Sequence, residues 1–190
     1  MKKRSLPNLQ FWIALLIPVV VLLLMAVQPI MTVMFGEQIV LQTVPYDPRD
    51  LFYGDYVDLR FEIEEVEASS LDNELARKMI NGEKYDERLP VYVSLKPQGN
   101  VYVVEKVSEK RPHTGLYLKG MIQNLNSERF LPSPDHSSGP MYHIDYQLDR
   151  FYVEEGTGVE LEKLSREGKL VAYLKVRDGY AILMDVKPSP

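Results

Sequence analysis

Four aspartates, Asp47, Asp50, Asp55 and Asp58, crowd one short segment, and carboxylates at that density offer two chemistries. They could give oxygen ligands to calcium, or, with Asp145 and Asp149 further along, the acids of an envelope hydrolase. The spacing is not that of an EF-hand loop, and a hydrolase of this kind needs a carboxylate whose pKa is raised inside a cleft. His113, His136 and His143 share no regular metal-ligand spacing, and Asp135-His136 sits in a proline-rich stretch where zinc would need ligands gathered from afar. Ser137-Ser138-Gly139 lacks the Gly-x-Ser-x-Gly elbow, and no glycine loop suited to phosphate is present. The chain has no cysteine, which removes disulfides, thiolate zinc sites and cysteine nucleophiles together. The expectation is therefore no catalytic, metal-binding or cofactor-binding residue, and no cofactor. Glu64, Glu65 and Glu67 read as a solvated edge.

The acidic segment has structural work for its residues. Asp47 can cap a short helical turn, Pro48 is preset for its first position, and Asp50 lies three after the cap. Gly54 can end the turn with positive φ, and Asp55 can hold its backbone amides. The strand that follows alternates Val57, Leu59, Phe61 and Ile63 with Asp58, Arg60 and Glu62, so one face is apolar and the other charged. Leu59 and Phe61 should enter the core, while Tyr56 faces the other way. Tyr53 and Tyr56 would form an exposed flank suited to protein contact, because tyrosine joins apolar area to a polar tip.

The elements that must position this segment begin at the N-terminus. Phe11 to Phe35 contains no charged residue and follows Lys2, Lys3 and Arg4. As a helix it would reach about 37 Å, enough to cross a hydrocarbon core about 30 Å thick. Residues 1–10 then form a cytoplasmic basic tail, 11–35 an uncleaved transmembrane signal anchor in contact with membrane lipid, and 37–190 one extracytoplasmic domain. A cleaved signal peptide fits poorly, since its apolar region is shorter and Leu24 stands where the best cleavage site needs a small residue. Trp12 suits the interface; Pro18, Gln28 and Pro29 suggest a kinked, then fraying helix, serving as a plain anchor or packing on a protein neighbour. Net charge is −5 even with the three N-terminal positive residues counted, so the remainder is acidic and nucleic acid is excluded as a partner.

The pattern of the domain predicts a β-rich α+β fold, a mostly antiparallel sheet or partly open barrel with two short helices. Leu89 to Leu95 and Val101 to Val107 read as a hairpin around Lys96-Pro97-Gln98-Gly99-Asn100, with Pro97 and Gly99 central to a type II turn. Leu170 to Val176 and Tyr180 to Val186 flank Arg177-Asp178-Gly179, a type I′ hairpin signal. Leu71, Leu75 and Met79 mark one helix after Ser69 and Ser70, and a second should start at Thr157, where Glu160 completes capping-box spacing. Ser127 to Pro140 reads as the long loop.

Gly54-Asp55-Tyr56-x-x-Leu59-x-Phe61 resembles the signature of the GDYXXLXY family, bacterial membrane-anchored proteins of uncharacterised function, with Phe61 in place of the usual final tyrosine. Asp47-Pro48-Arg49-Asp50, Leu89-Pro90-Val91-Tyr92-Val93, Leu118-Lys119-Gly120 and Arg150-Phe151-Tyr152-Val153-Glu154-Glu155-Gly156-x-Gly158 through Glu162 are similar to its other blocks. The resemblance implies a single-span, externally facing domain in the bacterial cell (inner) membrane, working beside a multi-span membrane protein. A weaker similarity links the anchor, first strand and Gly-Asp-x-Val to the opening of type I signal peptidases. Their serine would precede Pro48, where Pro45, Tyr46 and Asp47 stand instead. The leading expectation is a non-catalytic interaction or assembly module; the alternatives are a carboxylate hydrolase and a peptidase-like frame without its nucleophile.

Overall fold

The computed structural model describes residues 9–45, 56–81, 88–124, 141–148, 150–152, 164 and 167–189. Helix α1 (Leu9–Phe35) contains the apolar stretch Phe11–Phe35, whose mean hydropathy of 2.7 and length suffice to cross a membrane. It passes through both Pro18 and Pro29 without ending, contrary to the expectation of a fraying C-terminal half. The last turn is closed by local bonds and packs on the β-domain. Thr32 is buried where α1 meets the β-domain, its hydroxyl donates to the Gln28 carbonyl at 2.9 Å, and Gly36 N–H donates to the Thr32 carbonyl at 2.8 Å.

One residue, Gly36, separates α1 from β1 (Glu37–Gln42). There follow β2 (Tyr56–Asp58), β3 (Glu65–Glu67), α2 (Asn73–Asn81), β4 (Leu89–Gln98), β5 (Val101–Ser108), β6 (Tyr117–Asn124), β7 (Met141–Asp145), β8 (Arg150–Tyr152), β9 (Leu170–Arg177) and β10 (Tyr180–Pro188). They form a sheet of order β1-β9-β10, a sheet of order β3-β7-β6-β4-β5, and a ribbon of β2 and β8, with every ladder antiparallel. The free edges β1 and β5 approach one another, and Tyr102 donates to a Glu37 carboxylate oxygen across the gap at 3.3 Å. The result is a partly open antiparallel barrel. Alternate residues point inward on both sheets, Ile39, Leu41, Ala172, Leu174 and Val176 from one and Val91, Val93, Leu118, Ile122 and Ile144 from the other, to form a single core.

The Asp-Gly hairpin forms as its chemistry requires: Asp178 and Gly179 join β9 to β10 with φ of 54° and 78°, the two positive values of a type I′ turn. The other hairpin turns later than the spacing suggests. Gly99 and Asn100 make the turn, with Gly99 at φ 61°, and Pro97 lies within β4. Proline is tolerated there because β4 pairs with β6 only up to Ser94, leaving the far side of Pro97 without a ladder. Helix α2 is capped by Asp72, whose carboxylate accepts the Leu75 N–H at 2.8 Å; Ser69 and Ser70 lie in a separate 3₁₀ turn. The predicted Thr157 helix, the Ser127 to Pro140 loop and the Asp47 to Asp55 turn lie outside the described residues.

Candidate functional site

The end of the signature runs from β2 into the core, and its apolar members are structural. Leu59 and Phe61 are each 1% exposed. Phe61 bridges Thr43 and the Arg60 carbonyl accepts the Val44 N–H at 2.9 Å, so this segment lies against the chain just beyond β1. Beyond Phe61 the alternating pattern does not continue as one strand: a 3₁₀ turn over Glu62–Glu64 intervenes before β3. The turn lets the segment change partner, from β8 before it to β7 after it.

Glu64 holds that turn and corrects the reading of a solvated glutamate edge. Glu65 and Glu67 are exposed, but Glu64 is only 8% exposed. One of its oxygens accepts the Phe61 N–H at 3.2 Å and the other the Arg60 guanidinium at 3.2 Å. Burial raises its pKa above the carboxylate value, and Arg60 and the Phe61 amide oppose that rise. Around it stand three more polar groups. The Tyr146 hydroxyl donates to the Ile63 carbonyl at 2.9 Å, and desolvation with the Glu64 charge pushes its pKa well upward. His143, opposite Glu65 in the ladder, is held below its ordinary pKa by burial and then by the Arg60 charge. Asp145 pairs with Arg88 at 3.4 Å and accepts the Gln147 N–H at 2.9 Å.

The carboxylates gathered here are thus Glu64 and Asp145. Asp47, Pro48, Arg49, Asp50, Tyr53, Gly54, Asp55, His136 and Asp149 lie outside the described residues. Among the described residues, no group of three or more histidines and acids is placed to hold a metal. Tyr56 is the cross-strand partner of Tyr152, which is 73% exposed; the expected flank of Tyr53 and Tyr56 includes Tyr53, which lies outside the described residues. Sequence reasoning missed Glu64 and Arg60 as a pair; their i, i+4 spacing was the available signal.

A second polar site lies where α1 meets the barrel. A groove of about 650 Å³ is lined by Phe35 and Glu37, the loop Arg111 to Leu116, Tyr117 of β6, and Asp178 and Gly179 of the β9–β10 turn. His113 is in this loop. Arg111 donates to Asp178 at 2.8 Å and lies over the Tyr117 ring at 5.5 Å. Tyr117 is 8% exposed, and its hydroxyl has no hydrogen-bond partner among the described residues. Gly179 packs so closely on Tyr117 that a Cβ there would come within 2.5 Å of the ring. No sequence motif announces this groove, because its walls come from three separate stretches.

Comparison with curated proteins and with solved structures returned no significant match. A family model described as GDYXXLXY protein matches residues 18–186, from within α1 almost to the end of β10, and the chain belongs to that family.

Proposed function

We propose that this protein is a non-catalytic interaction or assembly module of the bacterial envelope, fixed to the cell membrane by α1 and set beside a multi-span membrane protein. Its N-terminus is cytoplasmic and its barrel extracytoplasmic, as the basic residues before the span suggest. The observation that carries this reading is the short, packed joint after α1. Gly36 alone connects helix to strand, Lys175 donates to the Gly36 carbonyl at 3.2 Å, and α1 packs on β9 and β10. A one-residue joint with packing on both sides provides no flexible tether, which supports a set orientation of the barrel toward a neighbour of α1.

The face assigned to that neighbour is the β2–β8 ribbon, which carries Tyr56 of the expected flank opposite the exposed Tyr152. Replacing Tyr56 and Tyr152 together with alanine should weaken association with a co-purifying membrane protein in mild detergent while the melting temperature stays within a few degrees. Retained association would remove the assignment. Protease treatment of right-side-out cells should digest the barrel and spare the N-terminus; protection of the C-terminus would reverse the topology.

The raised pKa of Glu64 favours one second reading, a carboxylate hydrolase with Glu64 and Asp145 as its acids. Hydrolytic activity in the purified protein that vanished in Glu64→Gln would establish it. Both Glu64 oxygens already serve Arg60 and Phe61, which supports the structural role instead.

A further inference from the structure

We propose that the groove at the foot of α1 binds the headgroup of a zwitterionic phospholipid carrying a primary ammonium, a phosphoethanolamine lipid of the membrane that α1 crosses. The inference rests on α1 being a membrane span, which the protease experiment above tests separately. Phe35 is the last residue of the helix and Glu37 the first of β1, and both line the groove, so its mouth opens where hydrocarbon gives way to headgroups. Its size is that of an ordinary small-molecule site.

The chemistry of the walls matches the two charges of such a headgroup. Arg111 uses one N–H in its bond to Asp178 and lies over the Tyr117 ring at 5.5 Å; the remaining N–H groups suit a phosphate. Glu37 supplies the opposite charge. Among the described residues its carboxylate accepts the Tyr102 hydroxyl alone, at 3.3 Å, which leaves acceptor capacity for an ammonium. Asp178 is already flanked by Arg111 at 2.8 Å and Arg177 at 3.8 Å. Tyr117 lines the groove, and its hydroxyl is a buried donor with no acceptor among the described residues; a lipid phosphate or ester oxygen reaching it would satisfy it.

The full-length protein in neutral maltoside detergent should be titrated with dihexanoyl phosphatidylethanolamine, dihexanoyl phosphatidylglycerol and inorganic phosphate, and binding read by native mass spectrometry and thermal shift. The ethanolamine lipid should bind about tenfold more tightly than the glycerol lipid, and inorganic phosphate should bind more weakly than either. Arg111→Gln should weaken both lipids by roughly tenfold, whereas Glu37→Gln should weaken only the ethanolamine lipid. Tyr117→Phe should lose affinity severalfold without lowering the lipid-free melting temperature, because the hydroxyl makes no bond in the protein. This variant decides the matter if Arg111→Gln fails to fold. Unchanged lipid affinity in Tyr117→Phe and Arg111→Gln would overturn the site. Equal affinity for the two lipids would overturn the zwitterionic assignment, and equal affinity for inorganic phosphate would overturn the membrane source.

Discussion

The polar cluster around Glu64 and the groove around Tyr117 are built from similar side chains and reach opposite outcomes. Around Glu64 the principal polar groups answer one another: Arg60 and the Phe61 amide meet the carboxylate, Tyr146 meets Ile63, and Asp145 meets Arg88. Beside α1, Arg111 and Asp178 pair, but the buried Tyr117 hydroxyl has no partner among the described residues. A buried group whose bonds are met inside the protein serves the fold; one whose bond is unmet, on a residue that lines a groove, is a candidate for a bond to something else. The contrast separates structure from binding in a chain whose signature had pointed to only one of the two places.

The contrast can be broken or sharpened by substitution, and the largest effect is expected at the groove's own framework. Gly179→Ala requires a side chain at φ 78° and places its Cβ 2.5 Å from the Tyr117 ring. It should cost about 3 kcal/mol in denaturant unfolding, from backbone strain and overpacking together. Glu64→Ala comes next. Leaving the Phe61 amide and the Arg60 guanidinium without their acceptor should cost about 2 kcal/mol, while Glu64→Gln, which keeps an acceptor oxygen, should cost less than half of that. If the two variants were equally destabilised, the charge rather than the hydrogen bond would be what holds the turn.

The pH dependence of stability is a smaller effect with a definite sign. His143 has a depressed pKa in the folded protein, so the unfolded chain binds the extra proton and stability falls as pH drops through the ordinary value of 6.5. Glu64 acts the other way. Its raised pKa means that the folded protein takes up its proton first, so stability is gained as pH falls through the raised pKa toward 4.5. Denaturant midpoints at about pH 5 and 7.5 should therefore show His143→Gln relatively more stable in acid than the parent, and Glu64→Gln relatively less. Identical pH profiles in parent and variants would remove the electrostatic account of the cluster. The smallest change is expected for Tyr117→Phe, within about 0.5 kcal/mol of the parent when no lipid is present. A loss of 1 kcal/mol or more would mean that the hydroxyl is satisfied, and the contrast between the two sites would disappear.

What could be read from the amino-acid order alone follows the range of the interactions involved. The apolar run from Phe11 to Phe35, the antiparallel barrel-like class, the inward placement of Leu59 and Phe61, and the Asp178-Gly179 turn were all legible, because each depends on composition, alternation or φ preferences within a few residues. The turn in the first hairpin was misplaced because a proline in a strand is penalised only where a ladder exists on its far side, and the limit of β6 is not a local property. Glu64 was read as solvated for the same reason. Glu62, Glu65 and Glu67 are exposed, and it is the distant chain carrying Tyr146 that comes up against Glu64. The groove was invisible: Phe35, Arg111, Tyr117 and Asp178 acquire a common purpose only when the barrel brings the end of the helix, a loop and a hairpin turn to one place. Local pattern determined the long apolar helix, the strands and the hairpin; which polar groups are satisfied, and which is buried without a partner among the described residues, was decided by tertiary structure, since burial and partnership are properties of the folded neighbourhood.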